Sequence, residues 1–172
     1  MREPKRAAAV LAAALITLAA ACVPPTTPTD FSRCPTADVG QVRVAVVVDS
    51  STLPGGSANP SVVCVVVPSG STGVDALAAR AARIGATPPR FGSSGLLCGI
   101  DGAPAAPDCG TLGPDGYQYW GYYVGGSAWD FAPVGPASRV MTDGTVEGWA
   151  FQNGSNGGDP RTSASFAALT GA

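Results

Sequence analysis

Valines recur at every second position between Gln41 and Asp49, and residues of mixed size and polarity lie between them. A period of two places these valines on one face of an extended chain, so the pattern predicts a β-strand with one buried side. The run from Val62 to Val67 is more continuously apolar and predicts a second strand. Turn-forming residues separate the two runs, so a hairpin is the simplest pairing.

A different period follows between Thr72 and Gly85. Apolar residues recur there at helical spacing, and Thr72 followed three residues later by Asp75 is typical of a capping box. Gly85 can end the helix, and Pro88 and Pro89 prevent its continuation. The sequence therefore predicts one amphipathic helix.

Four further strands are predicted after the helix, at residues 91–100, 117–124, 128–132 and 145–151. Two strands, one helix and then several strands is the order of an α+β fold of the β-grasp type, in which a mixed sheet packs on a single helix. An all-β sandwich with a helical insertion is the competing architecture. The predicted domain comprises residues 40–151. Residues 152–172 are polar and rich in glycine and are predicted to form a flexible C-terminal tail.

The N-terminal region indicates export. Residues 1–21 combine basic residues with an apolar run shorter than the ~20 residues of a bilayer span, which predicts a signal peptide. The run Leu18–Cys22 resembles the lipobox of bacterial lipoproteins, so Cys22 is the predicted lipidation site and residues 22–39 a tether rich in proline and threonine. The expected location is extracytoplasmic, with membrane attachment through the lipid. Ordinary secretion after cleavage near Ala21 is the alternative.

Five cysteines are an odd number for an exported chain. If Cys22 carries the lipid, four cysteines remain, and four allow three connectivities. Cys98 and Cys109 flank a loop rich in glycine and proline and are expected to form a local bridge, which leaves Cys34 to pair with Cys64. The expected fold is thus stabilised by disulfides. A zinc site is disfavoured because the chain has no Cys-x-x-Cys pair and no histidine.

Composition narrows the classes of function. Lys5 is the only lysine, and without residues 1–21 the chain keeps 7 basic and 11 acidic residues. It therefore lacks the basic cluster that binding to nucleic acid requires. Without imidazole or amine side chains, a non-catalytic protein with no cofactor and no metal is expected. Asp101, Asp108 and Asp115 do not have the spacing of a calcium loop and are interpreted as turn residues.

All three tryptophans and all four tyrosines lie within residues 116–151. Side chains of a strand alternate between its two faces, so these rings cannot all belong to one surface. Three of them are predicted to form an exposed surface that stacks on a ligand: Trp120, Tyr122 and Trp129. Tyr119 and Trp149 are predicted to lie in the core. The alternative interpretation is that the rings fill a core otherwise built from valine and alanine.

Four motifs occur in an order that resembles a known family: Ser71–Leu77 at the start of the helix, Leu97–Gly102, Tyr119–Tyr123 and Asp143–Trp149. Their order and spacing resemble the transcobalamin-like C-terminal domain family over roughly residues 41–151. That family includes the small β-domain of transcobalamin and intrinsic factor and many bacterial secreted proteins. The resemblance implies a β-grasp fold in which Trp120 belongs to the aromatic strand.

The same resemblance implies a function. In the vitamin carriers of this family, the β-domain closes over one face of a corrinoid. The expected role is therefore a binding lipoprotein for a small planar ligand, such as a corrinoid, that is handed to a membrane uptake component. A cell-envelope module that binds another protein and no small molecule is the alternative.

Overall fold

The structure, a computed structural model, describes residues 29–172. The predicted signal peptide, the lipidation site Cys22 and the proline-rich part of the tether lie outside the described residues. The described chain forms these elements in order: β1 (Gln41–Asp49), β2 (Ser61–Pro68), α1 (Gly73–Ile84), β3 (Arg90–Phe91), β4 (Leu97–Gly99), β5 (Thr111–Gly113), β6 (Gly116–Val124), β7 (Asp130–Phe131), β8 (Thr145–Asn153) and α2 (Phe166–Thr170). Within residues 29–172, no helix has the length and apolar character needed to cross a membrane.

Six of the strands form one mixed sheet. β2, β1, β8, β6 and β5 lie side by side in that order, and β7 pairs with the C-terminal end of β6. β1 is antiparallel to β2 and parallel to β8, while β6 is antiparallel to β8. β3 and β4 form a separate hairpin. The predicted α+β class, with a mixed sheet on one main helix, is confirmed, and the all-β sandwich is wrong.

α1 has the ends that the sequence predicts. The backbone N–H and the hydroxyl of Thr72 both donate to Asp75 Oδ2, at 2.7 and 2.8 Å. Gly85 ends the helix in the left-handed region, with φ at 68°. Ala76 and Leu77 are buried in the cluster formed with the valines of β1 and β2. The helix therefore covers the half of the sheet in which these two strands lie.

The side of the sheet that α1 covers is here called the helix face. Every second residue of β1 points into it, and the matching positions of β6 and β8 supply large rings. Trp149 and Val46 are completely buried there. The rings are needed because α1 extends only over β2 and β1, and side chains and loops must fill the space above β6 and β8.

The other side, here called the opposite face, carries small residues such as Ala45 and is covered by the C-terminal segment, residues 157–170. Leu169 and Phe166 of this segment pack against β1. The Arg161 N–H donates to Asp49 Oδ2 at 2.8 Å. The structure thus differs from the flexible tail that the sequence predicted, because a few apolar side chains suffice to cover a shallow surface of alanine and glycine.

The strands after α1 also differ in detail from the prediction. The single strand predicted at 91–100 is a hairpin of β3 and β4, because the chain turns at Gly95, where φ is 80°. β5 was not predicted, and the strand predicted at 128–132 is shortened to β7. Structured residues also extend beyond 40–151 on both sides.

Two disulfides join the cysteines in the expected pairs, Cys34–Cys64 and Cys98–Cys109. The first bridge holds the N-terminal segment against β2, where the Cys64 N–H also donates to Phe31 O at 2.9 Å. β2 is an outer strand of the sheet, so this segment covers part of an edge that would otherwise be open to other chains.

Candidate functional site

A groove of about 480 Å³ opens on the helix face beside β6 and is here called the β6 groove. One wall is the turn between β3 and β4, residues 94–97, and the other is the segment 131–136 that follows β7. The exposed side chains of Leu96 and Val134 stand at its rim. Its lining residues carry no carboxylate, guanidinium or thiol.

Aromatic side chains form the base of the β6 groove. Tyr122 stacks on Trp149 with ring centres 5.0 Å apart, and Trp120 meets Phe151 edge to face at 5.3 Å. The Trp120 indole N–H donates to Ala103 O at 3.1 Å. Trp120 and Tyr122 are only 5% and 7% exposed. The expectation that both rings lie on an exposed surface is therefore wrong: they are core residues on which a groove rests.

Trp149 has an unusual environment at this base. It is completely buried, and its Nε1 has no hydrogen-bond acceptor among residues 29–172. A buried donor without a partner costs about 1–3 kcal/mol relative to a satisfied one. The prediction that Trp149 lies in the core is confirmed.

A buried ion pair fixes the orientation of Tyr122. Its hydroxyl donates to Glu147 Oε2, and Arg139 Nε donates to Glu147 Oε1 at 2.9 Å. Glu147 is completely buried, and burial raises the pKa of its carboxyl although both hydrogen bonds act in the opposite direction. Burial and the neighbouring Glu147 also raise the pKa of Tyr122. The phenol is thus a fixed neutral donor at the base of the groove.

The wall at residues 131–136 is held at both of its ends. The Ala132 N–H donates to Tyr122 O at 2.9 Å, and just after the wall the Gly73 N–H of α1 donates to Arg139 O at 3.0 Å. A side chain at position 73 has no room, because a Cβ there would lie 2.8 Å from the Tyr122 hydroxyl and 3.1 Å from Pro136 Cβ. The groove is therefore bounded by anchored segments.

A second recess, of about 400 Å³, lies on the other side of Trp120. Its wall is the loop closed by the Cys98–Cys109 bridge. Arg90 Nη2 holds this loop by donating to Pro104 O at 3.0 Å and to Asp108 O at 2.6 Å. Unlike that of the β6 groove, the lining of this recess includes a carboxylate, that of Asp108, and its wall is cross-linked through the bridge.

The three aspartates considered from the sequence do not form a site. Asp101 binds Arg80 Nη1 at 2.7 Å, in a turn where its own φ is 53°. Within residues 29–172, no group of three or more aspartate, glutamate, cysteine or histidine side chains is placed to hold a metal ion.

A third cleft, of about 680 Å³, lies between residues 33–43 and the C-terminal residues 170–172. Two of its charged residues, Arg43 and Asp143, neutralise each other at 2.5 Å. We place the candidate site at the β6 groove because only there do exposed apolar side chains surround an anchored aromatic base.

Trp129 lies on the opposite face and takes no part in the β6 groove. Its indole N–H donates to Thr162 O at 2.9 Å, and its ring packs over Gly148. The structure brings two of the three predicted ligand-binding residues, Trp120 and Tyr122, to one groove and assigns Trp129 to the packing of the C-terminal segment.

Sequence reasoning missed the rim and the ion pair. Leu96 and Val134 lie in segments that have no hydrophobic periodicity, so no sequence pattern indicates that they belong to a site. Glu147 could have been noticed, because alternation puts it on the same face as Trp149 and Phe151 in a strand with few charges. A carboxylate at such a position requires a buried partner, which the sequence alone does not name.

Comparison with known proteins adds a family. A family model described as the SCO2322-like domain matches residues 11–112 and 113–172. No curated protein matches the chain. The two matched segments together cover nearly the whole sequence and extend through the C-terminal segment that packs on the sheet, so the chain belongs to the SCO2322-like domain family.

Proposed function

We propose that this protein is a non-catalytic extracytoplasmic binding lipoprotein and that its β6 groove receives a small ligand. The observation that carries the proposal is the groove itself: an anchored aromatic base beneath a rim of exposed apolar side chains, with a volume of about 480 Å³. Sites for small molecules are typically concave, mainly apolar and about 300–1,000 Å³ in volume.

Two features favour binding over catalysis at this groove. The only titratable groups in its lining are tyrosines, and the phenol of Tyr122 is held neutral by burial and by its bond to Glu147. Both walls are anchored, one by the hairpin of β3 and β4 and one by the bond from the Ala132 N–H to Tyr122 O of β6. An organised pocket lowers the entropy cost of holding a ligand.

The experiment is a titration followed by tryptophan fluorescence, because Trp120 and Trp149 both line the groove. Corrinoids, which the resemblance to the transcobalamin-like family names, and small aromatic compounds are tested as ligands. Val134→Asp alters the rim, and Leu112→Asp is the matched control, since Leu112 is exposed and outside the groove. A saturable response lost only in Val134→Asp supports the proposal. No saturable response to any compound up to about millimolar concentration contradicts it.

Attachment to the membrane is tested separately. The lipoprotein reading predicts that Cys22→Ala moves the protein from the membrane fraction to the soluble fraction, because a lipid on Cys22 is its only proposed anchor. Fractionation of cells that express each form gives the answer. If the Cys22→Ala protein still sediments wholly with membranes, the proposed lipid anchor is contradicted. The proposed binding site in the β6 groove is not affected by that result.

A second function, binding of another cell-envelope protein, is favoured by one observation. Two exposed apolar side chains, here called the edge stripe, lie side by side on β5 and β6 at the outer edge of the sheet, on its opposite face: Leu112 at 75% and Tyr117 at 61% exposure. Contiguous exposed apolar surface is a property of interaction sites. A photocrosslinker placed at Tyr117 is expected to give a discrete adduct that the same group at Ser69 does not give.

A further inference from the structure

The chemistry of the β6 groove limits what it can hold. No charged side chain is among the residues that line it. The nearest ion pair, Arg139 with Glu147, is internally neutralised and lies beneath the base, where Tyr122 occupies one carboxylate oxygen and Arg139 the other. A charged group that packed against this lining would lose part of its water without gaining an opposite charge, and such desolvation is costly.

The residues that line the groove include the hydroxyl-bearing Ser94, and β6 has one stretch without a strand partner beside the groove. Tyr122 O accepts from the Ala132 N–H at 2.9 Å on the outer edge of β6, so alternation directs the backbone N–H and C=O of Trp120 to the same edge. The ladder with β5 ends at Gln118, and that with β7 begins at Tyr123. In the part of the chain that the structure describes, no strand pairs with Trp120 on that edge, so its N–H and C=O are uncharged polar groups without a strand partner there.

We propose that the β6 groove selects uncharged, mainly apolar ligands and rejects ligands of similar shape that carry a formal charge. The inference rests on the proposed binding function and narrows its ligand class. A corrinoid is therefore not the ligand that we expect in this groove. It carries a metal ion and many amide groups, and the apolar walls would leave those groups unpaired.

The test uses two fluorescent probes that share one skeleton. N-phenylnaphthylamine is neutral, and anilinonaphthalene sulfonate is the same molecule with a sulfonate added. With the full chain, the neutral probe is expected to bind at least about tenfold more tightly than the charged one, a difference that a single desolvated charge readily supplies.

Variants locate the probes. Val134→Asp and Leu96→Asp each place a carboxylate at the rim and are expected to weaken the neutral probe at least about fivefold, while Leu112→Asp leaves it unchanged. Val134→Lys is expected to weaken the neutral probe and to strengthen the sulfonate probe, which inverts the selectivity. All three positions are well exposed, so circular dichroism is expected to show the same fold in each of the four variants.

The outcomes separate two failures. Sulfonate binding equal to or tighter than neutral binding, and sensitive to Val134→Asp, overturns the selectivity and leaves the groove as a binding site. Probe binding that is lost in Leu112→Asp and kept in Val134→Asp places the probes on the edge stripe and overturns both the selectivity and the groove. If neither probe binds, both the selectivity and the groove as a binding site are overturned.

Discussion

The two faces of the sheet are built from the same strands but are packed in different ways. On the helix face, β6 and β8 supply large rings that fill the space beyond α1 and leave a groove. On the opposite face, the same strands supply Gly121, Gly148 and Ala150, and a short segment packs almost directly on the backbone. Neighbouring positions along β6 and β8 point to opposite sides of the sheet. The large residues on one side leave a groove that can receive a ligand, and the small residues on the other side leave a surface that the C-terminal segment covers.

The largest expected effect comes from removing the ring at the centre of the helix face. Trp149→Ala should lower the free energy of unfolding by about 3–5 kcal/mol, because Trp149 is completely buried and stacks on Tyr122. Trp129→Ala, on the opposite face, should cost less, because Trp129 is only partly buried. Denaturant unfolding of both variants makes the comparison. A larger loss for Trp129→Ala would contradict the view that the helix face holds the main core.

The next effect tests how closely the C-terminal segment packs. A Cβ at position 148 would lie 2.6 Å from Trp129 Cζ3 and 2.9 Å from Pro160 Cγ. Gly148→Ala should therefore destabilise by about 1–3 kcal/mol through overpacking. Gly158→Ala is the control, since a Cβ there meets nothing within 4 Å. Equal unfolding midpoints for the two variants would show that the segment moves aside freely.

The buried carboxylate of the helix face should be visible as a pH dependence. Burial raises the pKa of Glu147 in the folded state above the ordinary value of 4.5, so the folded state binds this proton more tightly than the unfolded state. Its contribution to stability is then fully present below pH 4.5 and declines as the pH rises through the raised pKa. Glu147→Gln removes this decline, an effect of the order of 1 kcal/mol.

Stability measured from pH 4 to 8 compares the two proteins. The difference between wild type and Glu147→Gln should shift in favour of the variant as the pH rises. A difference that stays constant across this range would show that the folded and unfolded states bind the Glu147 proton equally.

The smallest effect belongs to the exposed pair at the margin of the opposite face. Arg43 Nη2 lies 2.5 Å from Asp143 Oδ2, and hydrogen bonds from Arg43 lower the pKa of Asp143 to about 2. The pair should stabilise above pH 3.8 and lose its effect as the pH falls through about 2. Because both side chains are well exposed, Asp143→Ala should cost at most ~1 kcal/mol, and less in high salt. A loss unaffected by salt would contradict this account.

The sequence predicts the parts of the fold that depend on local pattern. The valine period of β1, the capping residues Thr72 and Asp75 and the Cys98–Cys109 bridge have local causes, and each is confirmed. The Cys34–Cys64 bridge, expected by elimination, is confirmed as well. The predicted flexible tail failed because Leu169 and Phe166 look unremarkable in a polar segment until the sheet beneath them is known.

The candidate site is harder to predict, because it depends on which face meets α1. Alternation separates Trp120 and Tyr122 from Tyr119, but period alone cannot say that their face is buried. The groove arises where the turn at 94–97 approaches the segment 131–136, two stretches with no common pattern. A long-range meeting of loops of this kind has no signature in a single sequence.

The Cys34–Cys64 bridge also determines where mechanical load enters the domain. A pull on the chain before Cys34 passes through the sulfur atoms to Cys64, which lies within β2 opposite Ala45 of β1. The force therefore acts near the middle of a hydrogen-bonded ladder, and the bonds on both sides of that point share it. A strand pulled from its end would instead open one bond at a time, so the bridge makes the point of traction a strong part of the sheet.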